Sequence, residues 1–510
     1  MALFDKIFDI AKTKDSLDEY LKYHMADIND FYNLPYEDLK QEIGFIELFI
    51  LKKRQILRSL SYDKTYARSF LLILLDLCTR FNLLAATSTV HQIMIQHNIP
   101  CNKRMSAALA YIDPKPSSND EYINRFTSIC DLLESAIQEE EDSSTNSIAT
   151  FLNYLGTVVQ DTNDIYIKRI KEQIQSASSS ATYQFINHPA IIAAIQIDTS
   201  DQERASVQIQ TIVDDLLGNV HSDLKSNYKD TPSLIEDITD YAEEIRCIGP
   251  HYKRIRKVSV DKSNGEAKTN RGVAILENEA ELYEYMKRFG NMHKAKLDSA
   301  LQSPFPQKWD QPINLYDWGC GQGIASMVFL EKYQTANINR VMLIEPSEIA
   351  ISRAALHVSV YRPEVEIRTV CKKLDDLDPT DFNSSGANTH IHMFANILDI
   401  DDYSPSHLLE LMDKAFPGVN YFVCTSPYID DIKAERLNSF MRYFQNNYDS
   451  FVEISRATNQ KIPGAIFWSC NNMYKGNPCD THNDNALFCM NRWSRITRVF
   501  CIGYYNLQTI

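Results

Sequence analysis

The sequence predicts an all-α region followed by an α/β region built on a doubly wound, mostly parallel sheet. Three observations carry this reading. Helical periodicity runs through roughly the first 230 residues, short apolar strands alternate with helices from about residue 313, and a glycine-rich turn joins the first of those strands to its helix.

The chain has 510 residues, too many for one ordinary core. Residues 1–230 are expected to form a helical accessory domain, 231–275 a connection, and 276–510 the sheet domain. With 44% hydrophobic and 23% charged residues, the balance is that of a soluble globular protein rather than a disordered or fibrous one. The densest apolar run, residues 70–75, is closed by Asp76 and preceded by Arg68. A membrane span needs roughly 20 apolar residues, so this run is read as a buried helix segment and no membrane association is expected. Residues 1–10 carry Asp5, Lys6 and Asp9 and lack the apolar core of a signal peptide. Eleven cysteines without a repeating frame are expected as free thiols in a reducing cytoplasm. A net charge of −15 argues against gripping a long stretch of nucleic acid, whose phosphates dominate affinity. The basic stretch at 251–257 (HYKRIRK) is read as part of a solvated connection, with a local nucleic-acid groove as the alternative.

In the first half, residues 39–60 place Ile43, Ile46, Ile50 and Leu51 at helical spacing, and similar patterns occupy 67–81, 87–97, 122–139, 147–176 and 202–217. Polar punctuation at 113–118, 139–146 and 176–180 separates them. No fixed repeat period emerges and no catalytic motif lies in this half. Residues 277–301 predict one further helix, with an apolar stripe of Leu282, Met286, Phe289 and Leu297.

The chemistry concentrates in Ile313-Asn314-Leu315-Tyr316-Asp317-Trp318-Gly319-Cys320-Gly321-Gln322-Gly323. An apolar strand ends in an acid, three alternating glycines follow, and a helix is predicted over 324–333. Such a turn lies at the carboxyl edge of the sheet, where ligands of open α/β folds bind. Glycine lets the backbone turn tightly and approach a ligand, and the helix N-terminus offers unpaired amides. A second strand, 340–344, ends in Glu345, placed to accept both hydroxyls of a ribose. Pro346 stops the strand and Ser347 caps the next helix, 348–357.

Asp317-x-Gly319-x-Gly321-x-Gly323, with Glu345 closing the next strand, resembles motifs I and II of the class I (Rossmann-like) S-adenosylmethionine-dependent methyltransferase superfamily. The resemblance is strongest over 313–450. It implies a seven-stranded methyltransferase sheet and S-adenosyl-L-methionine as cofactor. Gly319, Gly321 and Gly323 would line its methionine and ribose part, Asp317 would sit near its amino group, and Glu345 would hold the ribose. A nicotinamide-dependent oxidoreductase is the competing nucleotide binder, but its fingerprint reads G-x-G-x-x-G, whereas here the third glycine comes one residue early.

Further strands are predicted at 365–371, 389–398, 421–425 and 496–505, with helices at 406–415 and 434–448. Many relatives place an acid just after the third strand to meet adenine; this chain has Lys372 and Lys373 there, with Asp375 and Asp376 later. After the fourth strand it has Asn396-Ile397-Leu398-Asp399 instead of the Asp/Asn-Pro-Pro-Tyr loop of amino-methylating nucleic-acid enzymes. The Pro-Cys nucleophile loop of cytosine C5 enzymes is absent as well. Asn396 is taken as a cofactor-pocket residue and Asp399 as a substrate-side one, each with strand-to-helix loop capping as the simpler role. Ser426-Pro427-Tyr428 reads as a strand-ending turn. Cys470, Cys479, His482 and Cys489 offer zinc-type donors at a spacing unlike usual zinc ribbons, so no metal is assigned. No catalytic base is identified.

The expected activity is methyl transfer to a macromolecular acceptor, a protein or nucleic acid recruited by the helical half. The alternative is a cofactor-binding scaffold with the same fold that does not turn over.

Overall fold

The computed structural model describes residues 3–138, 141–180, 182–218, 239–264, 274–309, 311–382, 389–461 and 494–503. The chain divides into two compact units, residues 1–226 with 430–432, and 227–429 with 433–510.

The first unit consists of helices: α1 (Leu3–Ile10), α2 (Lys14–Tyr32), α3 (Tyr36–Ser59), α4 (Thr65–Arg80), α5 (Leu84–His97), α6 (Lys103–Ile112), α7 (Asn119–Gln138), α8 (Ser144–Asp161), α9 (Asp164–Ser179), α10 (Pro189–Ile195) and α11 (Gln202–Gly218). The dense run at 70–75 lies in α4, every side chain of it buried, so it is a core helix as expected. Among the described residues no helix is long and apolar enough to cross a membrane. The single helix expected over 147–176 is two. α8 stops at Thr162, and Asn163 starts α9 by accepting a hydrogen bond from the Ile165 amide at 3.1 Å, a local competition that Asn and Thr side chains offer the backbone.

Buried among these helices is an ionic knot. Asp76 on α4 accepts from Arg80 at 2.5 Å, from the Tyr32 hydroxyl at 2.9 Å and from Arg104 on α6. Arg104, 1% exposed, also meets Asp142 at 2.6 Å just before α8. Four helices are thereby tied through one carboxylate and one guanidinium.

The second unit contains α12 (Thr239–Ile248), α13 (Tyr252–Lys262), α14 (Glu279–Ala300), β1 (Ile313–Trp318), α15 (Ile324–Lys332), β2 (Ile338–Ile344), α16 (Glu348–Tyr361), β3 (Glu366–Val370), β4 (Thr389–Ala395), α17 (Pro405–Ala415), β5 (Val419–Pro427), α18 (Asp431–Asn447), β6 (Val452–Lys461) and β7 (Ser494–Ile502). The seven strands run in the order β3-β2-β1-β4-β5-β7-β6. The pairs from β3 to β5 are parallel, whereas β7 is antiparallel to both β5 and β6. The chain leaves β1 toward β2 and returns to β4 on its other side, so the switch point of the topology lies between β1 and β4. All six residues of β1 are buried, as expected of a strand covered on both faces, although Asn314 and Asp317 interrupt its apolar run.

Two features depart from the sequence expectation. The stretch 231–275 is not a plain connection: α12 and α13 lie within it, and Tyr241, Ile245, Tyr252, Ile255 and Val258 join the core of the sheet unit. The basic residues of HYKRIRK therefore alternate with buried ones on one turn of helix after another rather than forming a solvated run. Strand β6 had no prediction. Its Glu453, Ser455, Arg456, Thr458 and Asn459 are too polar for a buried strand, because it is the edge of the sheet and pairs with β7 alone through two register shifts. The Cys470, Cys479, His482 and Cys489 group lies outside the described residues.

Replacing Asp76 by alanine should leave the Arg80 guanidinium without its carboxylate and Arg104 with Asp142 alone, lowering unfolding free energy by about 3–5 kcal/mol. Urea denaturation of the full chain checks this; an unchanged midpoint for the helical unit would show that the knot contributes nothing.

Candidate functional site

The carboxyl edge of the sheet opens into a crevice whose walls are the segments that follow β1, β2, β3 and β4. Gly319, Gly321, Glu345, Lys373, Asn396 and Asp402 line it, and residues 274–276 with Tyr285 of α14 close one side.

The turn after β1 is main chain at the ligand face. Gly321 adopts φ +50°, and a Cβ built there would meet nothing within 4 Å, so the crevice reaches bare backbone. Gly319 also lies at positive φ, and a Cβ on it would fall 2.5 Å from the Ile397 side chain. Gly323 differs in role. At φ +74° it begins α15, and a Cβ would lie 3.2 Å from the Ala354 Cα, so its bareness serves the close approach of α15 to α16 and not the crevice.

Three side chains hold this turn from behind. Glu345 Oε2 accepts from the Gly321 amide at 3.0 Å, and Oε1 accepts from the Ser347 amide at 3.0 Å. Burial raises its pKa to about 6, against the lowering effect of those two amides. Asp317 is 1% exposed and does not line the crevice; its Oδ2 accepts from the Ser326 amide at 2.9 Å and hydroxyl at 2.7 Å, in the first turn of α15. Burial raises it to about 7, opposed by the Ser326 bonds and reinforced by the charge of Glu345. His357 of α16 donates from Nδ1 to the Gln322 carbonyl at 2.8 Å and accepts at Nε2 from the Tyr241 hydroxyl at 2.9 Å. Burial lowers its pKa to about 3, so the ring is neutral with one tautomer. Gln322, 1% exposed, donates to the Leu282 carbonyl of α14 at 2.8 Å.

At the end of β4, Asn396 adopts φ +60°, and its main-chain N–H donates to the Thr425 carbonyl at 2.7 Å. Its side-chain Oδ1 accepts from Lys296 of α14, whose relative exposure is 0%. Its Nδ2 is buried without a hydrogen-bond partner among the described residues. Asp399 is buried outside the crevice lining and accepts from the Ser426 hydroxyl at 2.6 Å, bracing the ends of β4 and β5. Lys372 and Lys373 do line the crevice after β3, each against a carboxylate: Asp381 at 2.5 Å and Asp402 at 2.9 Å.

Of the residues singled out from sequence, Gly319, Gly321, Glu345 and Asn396 thus come together on one crevice, while Asp317, Gly323 and Asp399 lie behind it. Sequence reasoning missed Lys296, Gln322 and Tyr285. Lys296 had a signal: a lysine inside the apolar stripe Met292, Leu297, Ala300 of a predicted helix. Among the described residues no group of three or more His, Cys, Asp or Glu is placed to hold a metal.

No protein-family model matches the chain, and no curated protein matches it in sequence. Solved structures similar in fold include a SAM-dependent methyltransferase from Aquifex aeolicus, at 7% identity over 42% of this chain and 93% of that one, with a TM-score of 0.27. Another is the putative RNA methyltransferase PH1948 from Pyrococcus horikoshii, at 14% identity over 50% of this chain and 100% of that one, TM-score 0.28. A third is geranyl diphosphate C-methyltransferase from Streptomyces coelicolor A3(2), at 13% identity over 52% and 99%, TM-score 0.29. The strand order and the single reversed strand β7, not these scores, define the architecture: the second unit has the class I S-adenosylmethionine-dependent methyltransferase fold.

Proposed function

We propose that this chain is a methyltransferase that uses S-adenosyl-L-methionine and methylates an acceptor, protein or nucleic acid, brought by its helical unit. The observation that supports this best is the pairing of a bare glycine turn with a carboxylate on the neighbouring strand, both on one crevice at the switch point. The residues present suit the cofactor. Gly321 leaves open space where a side chain would stand, and each Glu345 oxygen accepts one amide and keeps lone pairs for ribose hydroxyls. Asn396 Nδ2 is a donor in want of an acceptor. The cofactor supplies a methyl group already activated on a sulfonium.

In this reading the protein's work is alignment and exclusion of water rather than proton transfer. Gly319 and Gly321 admit the ligand to main-chain distance. Glu345 binds the ribose, and Asn396 donates its amide within the same crevice. Asp317 fixes the first turn of α15, holding the turn in shape at one remove from the ligand. Gly323 sets the packing beneath, and Asp399 acts through Ser426 on the acceptor side. A cofactor-binding scaffold differs in outcome only: it binds S-adenosylmethionine and transfers no label to any fraction of a lysate.

Glu345→Ala should weaken S-adenosylhomocysteine binding by about 2–3 kcal/mol, the range for hydrogen bonds to a charged group, and Gly321→Val should abolish it. Calorimetry on folded variants checks both, and parent-like affinity in the pair refutes the site. A pH series adds a second check. The diol prefers the ionised Glu345, whose pKa stands at about 6, so affinity should hold above pH 7 and fall as pH drops through 6. Glu345→Gln should lose this dependence.

A further inference from the structure

Beside the crevice, the face of the sheet that lies under α14 carries polar atoms that the proposed cofactor site does not use. Cross-strand partners share a face of a sheet. The register pairs Val423 with Val499, Thr425 with Thr497 and Pro427 with Arg495, so Arg495 and Thr425 belong to the same face as Val423 and Val499. Those two valines share a core with Leu297 of α14, and α14 packs across β5 and β7. The same helix sends Lys296 to Asn396, whose main-chain amide bonds Thr425.

Besides Asn396 Nδ2, which the cofactor crevice uses, two groups on this edge have buried atoms with no hydrogen-bond partner among the described residues: Arg495 at Nε and Nη1, and Thr425 at Oγ1. The guanidinium can only donate, and the hydroxyl can donate as well. The nearby acids are already engaged, Asp402 by Lys373, Asp399 by Ser426 and Glu345 by two amides. A half-buried guanidinium with two nitrogens unpartnered among the described residues is costly, and burial holds the Arg495 group below the usual arginine range. The edge is therefore an excess of donors, with Arg495 about two strand spacings, or roughly 10 Å, from Asn396.

We propose that Arg495 and Thr425 seat an oxyanion of the methyl acceptor, a carboxylate or a phosphate, beside the cofactor crevice. This assignment of the acceptor's chemistry rests on the methyltransferase reading, although the anion seat itself is a property of β5 and β7. One arginine with one neutral donor suits a single anionic group, in keeping with a chain whose net charge of −15 opposes a polyanion.

The test titrates formate and inorganic phosphate separately into the full chain saturated with S-adenosylhomocysteine, following heat by calorimetry. The wild type should bind one of them, and the preferred probe identifies the group. Arg495→Met should weaken that binding at least tenfold, and Arg495→Lys should recover part of it. Thr425→Val, which changes no hydrogen bond of the fold, should weaken it severalfold and serves should Arg495→Met not fold. Absence of binding to either probe in the wild type, or equal affinity in wild type and variants, overturns the proposal. Failure of S-adenosylhomocysteine to bind the wild type instead overturns the cofactor reading, and probe titration of the cofactor-free chain then reports on the anion seat alone.

Discussion

The site depends on keeping one turn of main chain both bare and rigid. A loop with glycines at 319, 321 and 323 gains access for a ligand at the cost of backbone entropy, and left to itself would sample many conformations. The fold answers by fastening the turn from three directions. Glu345 reaches across from β2 to the Gly321 amide, His357 takes the Gln322 carbonyl from α16, and Asp317 anchors the start of α15 through Ser326. Each fastener uses the part of the loop that faces away from the crevice, or, for Glu345, a carboxylate with acceptor capacity to spare. Rigidity is thus supplied by neighbours, so the turn itself needs no side chains.

That division of labour explains how much was legible in the sequence. The sheet was: apolar runs ending in Asp317 and Glu345, separated by capped helices, predicted a parallel α/β unit, and the strands from β1 to β5 and β7 lie close to their expected places. The glycine turn was legible because φ above zero and open space demand that residue type. Long-range partners were not. Nothing local marks Tyr241 as the group that fixes the His357 tautomer, or Lys296 as the one that orients Asn396, since each pairing joins residues about a hundred positions apart. Strand β6 stayed hidden because an edge strand is free of the apolar pattern by which buried strands announce themselves.

The roles of Asp317 and Gly323 show a related limit. Spacing within a motif groups residues that share a turn, yet a turn has two sides. Gly319 and Gly321 face the crevice, whereas Asp317 and Gly323 face the helices behind it. In the helical unit, likewise, the run at 70–75 was readable as buried, but the charge at its end was not readable as a hub, because Arg104 and Asp142 come to Asp76 only through packing.

The contact between Gly323 and Ala354 has a consequence for descent. With a phantom Cβ 3.1 Å from the alanine methyl, the two positions form one steric unit spanning two helices. Enlarging either alone forces α15 and α16 apart, and α16 carries His357 three residues on. Related sequences that keep this crevice should therefore vary at 323 and 354 jointly or not at all, so that a pair of small residues, far apart in the chain and remote from any ligand, records the same selection as the binding turn.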